Sequence, residues 1–390
     1  MKIWGYNGPT AFRIVPYLPL LSLPPIMPPP PHPARFLFVT CQVGAEKAVK
    51  GEMALRWPDF RFAYSRPGFL TFKLPEQQFL TPDFNLASVF SRAYGFSLGK
   101  VSHSDPAIAA QEAWNLLGDR PIRHIHVWER DRAEPGDYGF EPSITPAAIS
   151  AYEALRTSCP RPQWLAPGNH LKEEAAPADW IADCVLVDPN LWWVGFHRAR
   201  SAASCWPGGI LNLDLPCDAV SRAWLKMEEA LRWSRLPIAP GSRFAEIGSS
   251  PGGASQSLLG RGFEVIGIDP AEMAPAVLIT PHFRHIRRRA VEVPRRAFRK
   301  VRWLTADMNV APNFTLDAVE AIVTHAEVNI RGMLLTLKLP EWHLASEVPA
   351  YLARIRSWGF NLVRARQLAH NRQEICVAAL QKPFHRKPLS

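Results

Sequence analysis

One stretch, from Arg243 to Met273, constrains the fold more than any other part of the chain. It reads RFAEIGSSPGGASQSLLGRGFEVIGIDPAEM. Its first apolar run, 244–247, ends in glycine and is followed by a polar helical pattern, and a second run, 263–268, ends in Asp269. The pattern predicts a strand, a tight turn, a helix and a parallel strand. Because an acid at the tip of such a second strand commonly accepts ribose hydroxyls, we expect a nucleoside-containing cofactor there.

The glycine-rich turn indicates which cofactor the unit holds. A dinucleotide-binding turn follows the pattern G-x-G-x-x-G, and a P-loop ends in Gly-Lys before Ser or Thr; neither pattern is present. The turn here reads E-x-G-x-x-P-G-G and carries no lysine for a phosphate. It therefore favours S-adenosylmethionine over NAD or ATP. The alternative is an ordinary α/β unit in which the glycines only turn the chain.

Size and charge set further bounds. With 390 residues the chain is long enough for two or three domains, and 47% hydrophobic residues supply ample core material. The net charge of +10 and the pI near 9.5 favour a polyanionic partner, RNA or DNA before an anionic membrane. The alternative is a basic surface that only confers solubility.

The six cysteines are scattered and include no C-x-x-C pair. They predict reduced thiols of a cytoplasmic protein, and neither a zinc site nor a disulfide set. No uninterrupted apolar run reaches about 18 residues, so we expect no membrane span. The apolar stretch 14–23 is broken by prolines and lacks a cleavage site, which argues against a signal peptide.

The first half of the chain changes character near residue 35. Residues 1–34 are dense in proline and are expected to be extended or disordered. Short strands and helices then alternate, which predicts an α+β region. We place strands at 36–42, 60–64, 69–73, 94–101, 122–129, 180–187 and 191–196, and helices at 45–56, 84–92, 107–117 and 145–157.

Two sets of residues in this half could serve binding. His103, His124 and His126 lie near predicted strand ends, and no acid or cysteine stands at ligand spacing from them. We therefore interpret them as structural or RNA-contacting histidines and predict no metal site. Arg198 and Arg200, after the last strand, either line an RNA path or are solvated side chains.

The second half repeats the alternation of strand and helix. A helix at 218–234, capped by Asp218 or Ser221, carries Lys226. A basic stretch follows at 284–300 and suits phosphate contacts. The remaining elements are a strand at 301–306 that delivers Asp307, a helix at 315–330, a strand at 332–337 that delivers Lys338, a helix at 344–358, and strands at 361–368 and 373–380, the last of which begins with Glu374.

Two cations and two anions are thus expected beside a methyl donor. Lys226, Asp307, Lys338 and Glu374 come from four elements, three of them at strand ends on the side where open α/β sheets bind ligands. Such a group suits the removal of a proton from a weakly acidic alcohol, provided that one lysine is kept neutral by burial and a second cation. The carboxylates then orient the pair.

These motifs resemble the RrmJ/FtsJ-type ribose 2′-O-methyltransferases, and particularly the bacterial RlmM branch that modifies large-subunit (23S) ribosomal RNA. The resemblance covers most of residues 211–381. It rests on LNLDLPCDAVSRAWLKMEEA, the EIGSSPGG loop, ADM after a strand, LKLP followed by SEV, and RARQLAHNRQEICV.

The resemblance implies a fold and a set of functional residues. Residues 201–390 would form a Rossmann-like, S-adenosylmethionine-dependent methyltransferase domain, a mostly parallel sheet with an antiparallel edge hairpin. Residues 35–95 would be ferredoxin-like and 96–200 THUMP-like, and together they would grip ribosomal RNA by shape and phosphates. The catalytic tetrad would be Lys226, Asp307, Lys338 and Glu374, with Lys338 as proton acceptor. The donor would contact Gly248, Ser250, Pro251, Gly252, Gly253, Asp269 and Asp307.

Two positions depart from the family pattern. An acid that usually contacts the adenine edge is replaced by Ala290, with Glu292 the nearest acid, and a serine before the first tetrad lysine is Ala223. Three interpretations therefore stand beside one another. They are a ribose methyltransferase acting on ribosomal RNA, an enzyme of the same fold that acts on another RNA or on a base nitrogen, and an inactive RNA-binding assembly factor.

Overall fold

The structure is a computed structural model that describes residues 34–76, 80–168, 170–171 and 173–381. The predicted proline-rich extension lies outside these residues except for its last one. Two seven-stranded sheets make up the described part of the chain. Over these residues no helix is both long enough and apolar enough to pass through a membrane.

The first sheet is mostly antiparallel, with the strand order β2-β3-β1-β4-β7-β6-β5. Only β5 and β6 pair in parallel. Its strands are β1 Phe36–Cys41, β2 Arg61–Arg66, β3 Phe69–Lys73, β4 Ser91–Ser102, β5 His124–Glu129, β6 Trp180–Asp188 and β7 Leu191–Arg198, and its helices are α1 Glu46–Arg56, α2 Pro106–Leu117 and α3 Pro146–Thr157. The expected boundary at residue 95 falls inside β4, so one sheet spans both regions. The division into ferredoxin-like and THUMP-like domains stays a prediction.

Local capping residues define the boundaries of α2. In α2 the side chain of Asp105 accepts a hydrogen bond from the N–H of Ala107 at 2.8 Å, Pro106 occupies the first turn, and Gly118 ends the helix at a φ of 60°. A cap of this kind satisfies one of the backbone donors left free at a helix start. The predicted helix at 107–117 is confirmed for this reason.

The helix predicted at 84–92 is wrong. The segment is irregular, Ala87 has a φ of 53°, and β4 begins at Ser91. The carboxylate of Glu52 accepts hydrogen bonds from the backbone N–H groups of Val89 at 2.8 Å and Phe90 at 3.3 Å. A side chain distant in sequence thus satisfies donors that a helix would satisfy locally.

The second sheet has the order β10-β9-β8-β11-β12-β14-β13. All its pairs are parallel except those of β14, which runs antiparallel to both β12 and β13. Its strands are β8 Arg243–Ile247, β9 Glu264–Ile268, β10 Phe283–Ile286, β11 Trp303–Asp307, β12 Gly332–Lys338, β13 Leu362–Arg366 and β14 Glu374–Leu380, and its helices are α4 Ala223–Ser234, α5 Gly253–Gly260, α6 Pro275–Leu278, α7 Pro312–Val323 and α8 Val348–Ser357. This confirms the predicted α/β methyltransferase-type architecture with a hairpin at one edge.

Several helix boundaries differ from the predictions, and the structure explains two of these differences. Helix α4 begins at Ala223 without a side-chain cap, because the preceding residues are bonded to α5 instead. There, Gln256 accepts a hydrogen bond from the N–H of Val220 at 3.0 Å and donates to the carbonyl of Asp218 at 2.9 Å. Helix α7 ends at Val323, earlier than expected, and the chain turns so that Val328 and Ile330 are buried.

The two sheets are joined through the β13–β14 turn, residues 367–373. The N–H of Gln367 donates to the carbonyl of Val89 at 2.8 Å. Just before the turn, Arg366 donates to the carbonyl of Arg92 at 2.6 Å. Since this turn leads directly into β14, the first sheet contacts the segment that positions the start of β14.

Candidate active site

The four predicted tetrad residues meet at one edge of the second sheet. Lys226 lies on α4, Asp307 and Lys338 are the last residues of β11 and β12, and Glu374 is the first residue of β14. Parallel strands end at the same edge, and the antiparallel β14 starts where they end. In the strand register, Lys338 is the direct partner of Glu374.

Their side chains form a closed ring of alternating charges. The Nζ of Lys226 lies 2.5 Å from Asp307 Oδ2 and 3.3 Å from Glu374 Oε1. The Nζ of Lys338 lies 2.9 Å from Asp307 Oδ1 and also donates to Glu374 Oε2. Each lysine therefore contacts both carboxylates, and each carboxylate oxygen faces one lysine.

Mutual attraction in the ring outweighs the cost of burial. Glu374 is 5% exposed and Lys226 14%. Burial alone would lower the pKa of Lys226, but Asp307 and Glu374 together raise it above its usual value. Burial would likewise raise the pKa of each carboxyl group, yet the nearby lysines, Lys226 foremost, hold the pKa of Asp307 and of Glu374 below the usual range. Lys226, Asp307 and Glu374 are therefore charged at neutral pH.

Two residues that the sequence prediction missed support Glu374. Asn371, in the β13–β14 turn, donates to Glu374 Oε1 at 3.0 Å and accepts from the N–H of Leu368 at 2.9 Å. The buried Glu229 of α4 accepts from the N–H of Ala369 at 2.8 Å and from that of the next residue at 3.0 Å. Both act on the turn's backbone, and nothing in a single sequence marks such contacts.

The predicted donor loop lies beside the ring. Gly248 has a φ of 74°, and a Cβ there would stand 2.6 Å from the carbonyl oxygen of Asp307. Gly253, the first residue of α5, faces the start of α4, where a Cβ would lie 2.8 Å from Ser221 O and 3.1 Å from Trp224 N. The loop packs so closely at these two points that neither can carry a side chain.

Asp269, at the end of β9, faces the same loop. One carboxylate oxygen accepts from the N–H of Ser250 at 3.1 Å and the other from the N–H of Ala271 at 2.8 Å. Each oxygen keeps acceptor capacity beyond these bonds. The loop residues Pro251 and Gly252 follow directly and lead into α5.

The structure shows where the two residues that depart from the family pattern lie. Ala290 is buried in a short 3-10 helix, 290–292, and Glu292 accepts from the N–H of Arg289 at 3.3 Å. Glu292 thus caps its own helix start. Ala223 is the first residue of α4.

A cavity of about 20 Å³ lies beneath the ring, between α4, α5 and the strands β11, β12 and β14. Its polar lining includes Lys226, Glu246, Asp307 and Asn371. This volume accommodates about one water molecule. Burial raises the pKa of Glu246 to about 8, and Ser255 donates to its carboxyl group. Glu246 therefore carries its proton at neutral pH.

The predicted RNA-contacting residues fall into two groups. Arg198 and Arg200 both pair with Asp83, at 3.2 Å and 2.6 Å. In the basic stretch 284–300, Arg287 pairs with Glu272 at 3.1 Å, whereas Arg288 is exposed and has no carboxylate partner among the described residues. The basic stretch remains the better candidate for phosphate contacts.

The histidines are placed differently from one another. His103 accepts from the N–H of Asp105 at 2.9 Å next to the start of α2, and His124 lies 3.0 Å from Asp179. His124 and His126 are buried, so RNA contact is excluded for them. Although no acid stands at ligand spacing from these histidines in the sequence, folding brings Asp179 to His124 and Asp183 to His126.

Comparison with known proteins gives a family match in the half of the chain that forms the second sheet. The sequence profile of the FtsJ-like methyltransferase family matches residues 219–350, a span that contains Lys226, Asp307 and Lys338. The protein named ribosomal RNA large subunit methyltransferase M from Alkalilimnicola ehrlichii is 31% identical over 313 residues, which are 72% of this chain and 81% of that protein.

Two further comparisons are weaker. The protein of the same name from Halorhodospira halophila is 33% identical over 47% of this chain and 53% of its own length, so the chain spans about half of that relative. The crystal structure of TrmN from Thermus thermophilus is 14% identical over 88% of this chain and 99% of that one, with a TM-score of 0.35, too low to bear on the assignment. On the long alignment with the Alkalilimnicola protein, the chain belongs to the ribosomal RNA large subunit methyltransferase M family.

Proposed function

We propose that this chain is an S-adenosylmethionine-dependent methyltransferase that methylates the 2′-oxygen of a ribose in large-subunit (23S) ribosomal RNA. The observation that carries the proposal is the ring of Lys226, Asp307, Lys338 and Glu374 at the strand edge that also holds the glycine-rich loop. Asp307 belongs to both, because its backbone contacts Gly248 and its side chain closes the ring.

The residues present fit the donor. The loop from Gly248 to Gly253 brings backbone close to the strand edge, and α5 begins there, where the first N–H groups of a helix are free. Asp269 has acceptor capacity for ribose hydroxyls. When bound, S-adenosylmethionine supplies a methyl group on a sulfonium that needs no further activation.

The tetrad would act on the acceptor oxygen. Lys226 keeps its proton, because the carboxylates raise its pKa. Lys338, kept neutral by the protonated Lys226 beside it, would accept the proton of the ribose 2′-hydroxyl as that oxygen forms its bond to the methyl carbon and the carbon–sulfur bond breaks. Asp307 and Glu374 hold both amines in place. Most of the acceleration would come from holding oxygen, carbon and sulfur in line.

The first half of the chain would supply RNA binding. We assign 35–95 to a ferredoxin-like and 96–200 to a THUMP-like domain, and the basic stretch 284–300 to phosphate contacts near the active edge. The net charge of +10 supports a polyanionic substrate. The large-subunit RNA is chosen because it is the substrate named in the relatives.

The decisive experiment compares Lys338→Ala and Lys338→Arg with the unmodified chain. Arginine can keep both ion pairs but stays protonated, so it cannot act as a base. We expect both variants to lose methyl transfer to unmodified ribosomal RNA by ~100-fold or more, while donor binding measured by calorimetry changes little. Lys47→Arg, at an exposed position on α1, is the control and should leave transfer unchanged.

Three outcomes would contradict parts of the proposal. Appreciable transfer by Lys338→Arg would contradict the role of Lys338 as base. Methylation found by nucleoside mass spectrometry on a base nitrogen, or only on transfer RNA, would contradict the substrate. Absence of both donor binding and transfer in the unmodified chain would leave an RNA-binding assembly factor.

A further inference from the structure

A second group of titratable side chains lies in the first sheet, apart from the tetrad. His126, Asp183 and His197 come from the neighbouring strands β5, β6 and β7. One ligand atom from each lies within 4.8 Å of the other two. His126 is the register partner of Asp183, and Asp183 is the register partner of Gly195, two residues before His197. The strand pairing therefore places all three side chains on one face of the sheet.

The hydrogen bonds within this group are incomplete. His126 is 2% exposed and Asp183 is 1% exposed. Neither ring nitrogen of His126 has a hydrogen-bond partner among the residues that the structure describes, and the same holds for Asp183 Oδ1. Buried polar atoms are rarely left in this condition, because each one costs free energy without a partner. Three such atoms in one place point to a ligand.

The third member is already oriented for coordination. The Nε2 of His197 lies 2.8 Å from the carbonyl oxygen of Ser204, to which it can donate. This bond leaves Nδ1 as the nitrogen that faces Asp183 Oδ2, at 2.7 Å. A backbone carbonyl that fixes the outer nitrogen of a histidine is the usual support of a metal-ligating imidazole.

A glycine on the neighbouring strand makes room for this group. Gly95 on β4 approaches so closely that a Cβ there would lie 2.8 Å from Asp183 Oδ2 and 2.7 Å from the ring of Phe38. A residue with a side chain at this position would therefore displace the Asp183 carboxylate.

We propose that His126, Asp183 and His197 bind one zinc ion, with a water molecule in the fourth position. Two imidazoles and a carboxylate suit zinc among the divalent cations, and the set contains no thiolate. Tetrahedral zinc with bonds of about 2.0 Å holds its ligand atoms about 3.3 Å apart, so Asp183 and His197 would separate slightly and the ligand nitrogen of His126, within 4.8 Å of both, would adjust to the same spacing. The ion would join the sheet to Ser204, in the segment between β7 and α4.

The proposal does not depend on the methyltransferase assignment, and its main test measures metal directly. The full chain is expressed in zinc-supplemented medium, and its zinc content is measured by mass spectrometry beside His126→Gln, His197→Gln and His124→Gln. His124 is the matched control, since it lies on the same strand two residues away and pairs with Asp179 instead. We expect about one zinc per chain, retained by His124→Gln and reduced at least ~10-fold in the other two variants.

Two further measurements use only the unmodified chain, in case the variants fail to fold. Adding zinc to chelator-treated protein should raise the thermal midpoint by roughly 5 °C. Cobalt substitution should give the visible absorption of a tetrahedral site without a thiolate charge-transfer band.

Three results would overturn the inference. They are a metal-free chain whose thermal midpoint does not respond to zinc, zinc retained by His126→Gln, and a cobalt spectrum with a thiolate band. The first would mean that a water molecule satisfies His126 and Asp183. The second or third would place the ion at another site.

Discussion

The two sheets each hold a cluster of titratable side chains, and the clusters differ in how completely they satisfy themselves. In the second sheet, the two lysines and two carboxylates contact one another at the ends of strands. In the first sheet, His126, Asp183 and His197 lie on β5, β6 and β7 at one side of the sheet. His126 and Asp183 are buried and have polar atoms without a partner among the residues that the structure describes. The difference agrees with the two proposals, in which the tetrad of the second sheet acts on a substrate and the histidine cluster of the first sheet holds a permanent ligand.

The largest effect is expected from removing one charge of the tetrad. Glu374→Gln leaves two lysines facing a single carboxylate, so we expect methyl transfer to fall ~100-fold or more and the free energy of unfolding to fall by about 3 kcal/mol. Single-turnover kinetics and urea unfolding measure the two effects. If Asp183→Asn in chelator-treated protein cost as much stability as Glu374→Gln, the contrast between the clusters would fail.

Glu246 gives a further test of the comparison between buried titratable groups. Its buried carboxyl group stays protonated, unlike the ionised carboxylates of the tetrad. Its folded-state pKa of about 8 exceeds the unfolded value near 4.5, so the folded chain binds the extra proton between these pH values. The free energy of unfolding should therefore fall as pH rises from about 4.5 through 8.

Glu246→Gln cannot ionise and lacks this decline. Between pH 5 and 9 we expect its stability relative to the unmodified chain to rise by up to roughly 4 kcal/mol. Urea unfolding at pH 5, 7 and 9 measures the difference. Parallel stability curves for the two proteins would show that the carboxyl group is already ionised when folded.

The third prediction concerns a glycine at which two backbone segments pack closely. A methyl group at Gly253 would meet the backbone of Ser221, so Gly253→Ala should cost about 2 kcal/mol and weaken donor binding. Gly260, at the other end of α5, has nothing within 4 Å of such a methyl group. Gly260→Ala is therefore the control and should be neutral or stabilise by up to ~1 kcal/mol. Equal thermal midpoints for the two variants would contradict the close packing at Gly253.

The smallest effect concerns the contact between the sheets. Glu141 accepts from Arg222 and lies 3.0 Å from Nδ1 of the buried His370 in the β13–β14 turn. Burial alone would raise the pKa of Glu141, but His370 and Arg222 lower it to about 2. The resulting stability is present above pH 4.5 and is lost as pH falls toward 2.

Glu141→Gln should lower the free energy of unfolding by about 1–2 kcal/mol at pH 7, and the loss should disappear at low pH. Thermal unfolding over a pH series measures this. Glu153→Gln, which removes an exposed pair with Arg156, is the control and should change stability by less than ~0.5 kcal/mol. A loss that persists unchanged at pH 3 would contradict the role of the Glu141 charge.

The strand ends of the second sheet could be predicted because a short apolar run and the turn or polar residue that follows it locate each strand locally. Asp307, Lys338 and Glu374 follow from that pattern, since a parallel sheet collects its carboxyl ends at one edge. The support from Asn371 and Glu229 could not be predicted, because both residues bond to a turn whose shape depends on the rest of the fold.

The cluster in the first sheet escaped prediction for a related reason. Its three members stand far apart in the sequence, and only the register of β5, β6 and β7 brings them together. The mistaken helix at 84–92 has a similar origin, since Glu52 satisfies the backbone donors of that segment from another helix. Local patterns report on one element at a time, and neither feature belongs to one element.

The β13–β14 turn has a consequence for dissecting this protein. All four members of the tetrad lie after residue 220, so a shortened chain that starts there would keep every side chain that we propose to take part in the reaction. Such a fragment would nevertheless deprive Gln367 of Val89 and His370 of Glu141, on the turn that leads into Glu374. In such a fragment the β13–β14 turn would keep only its contacts with residues of the second sheet and its helices. The amino-terminal sheet thus helps to fix the turn that positions Glu374.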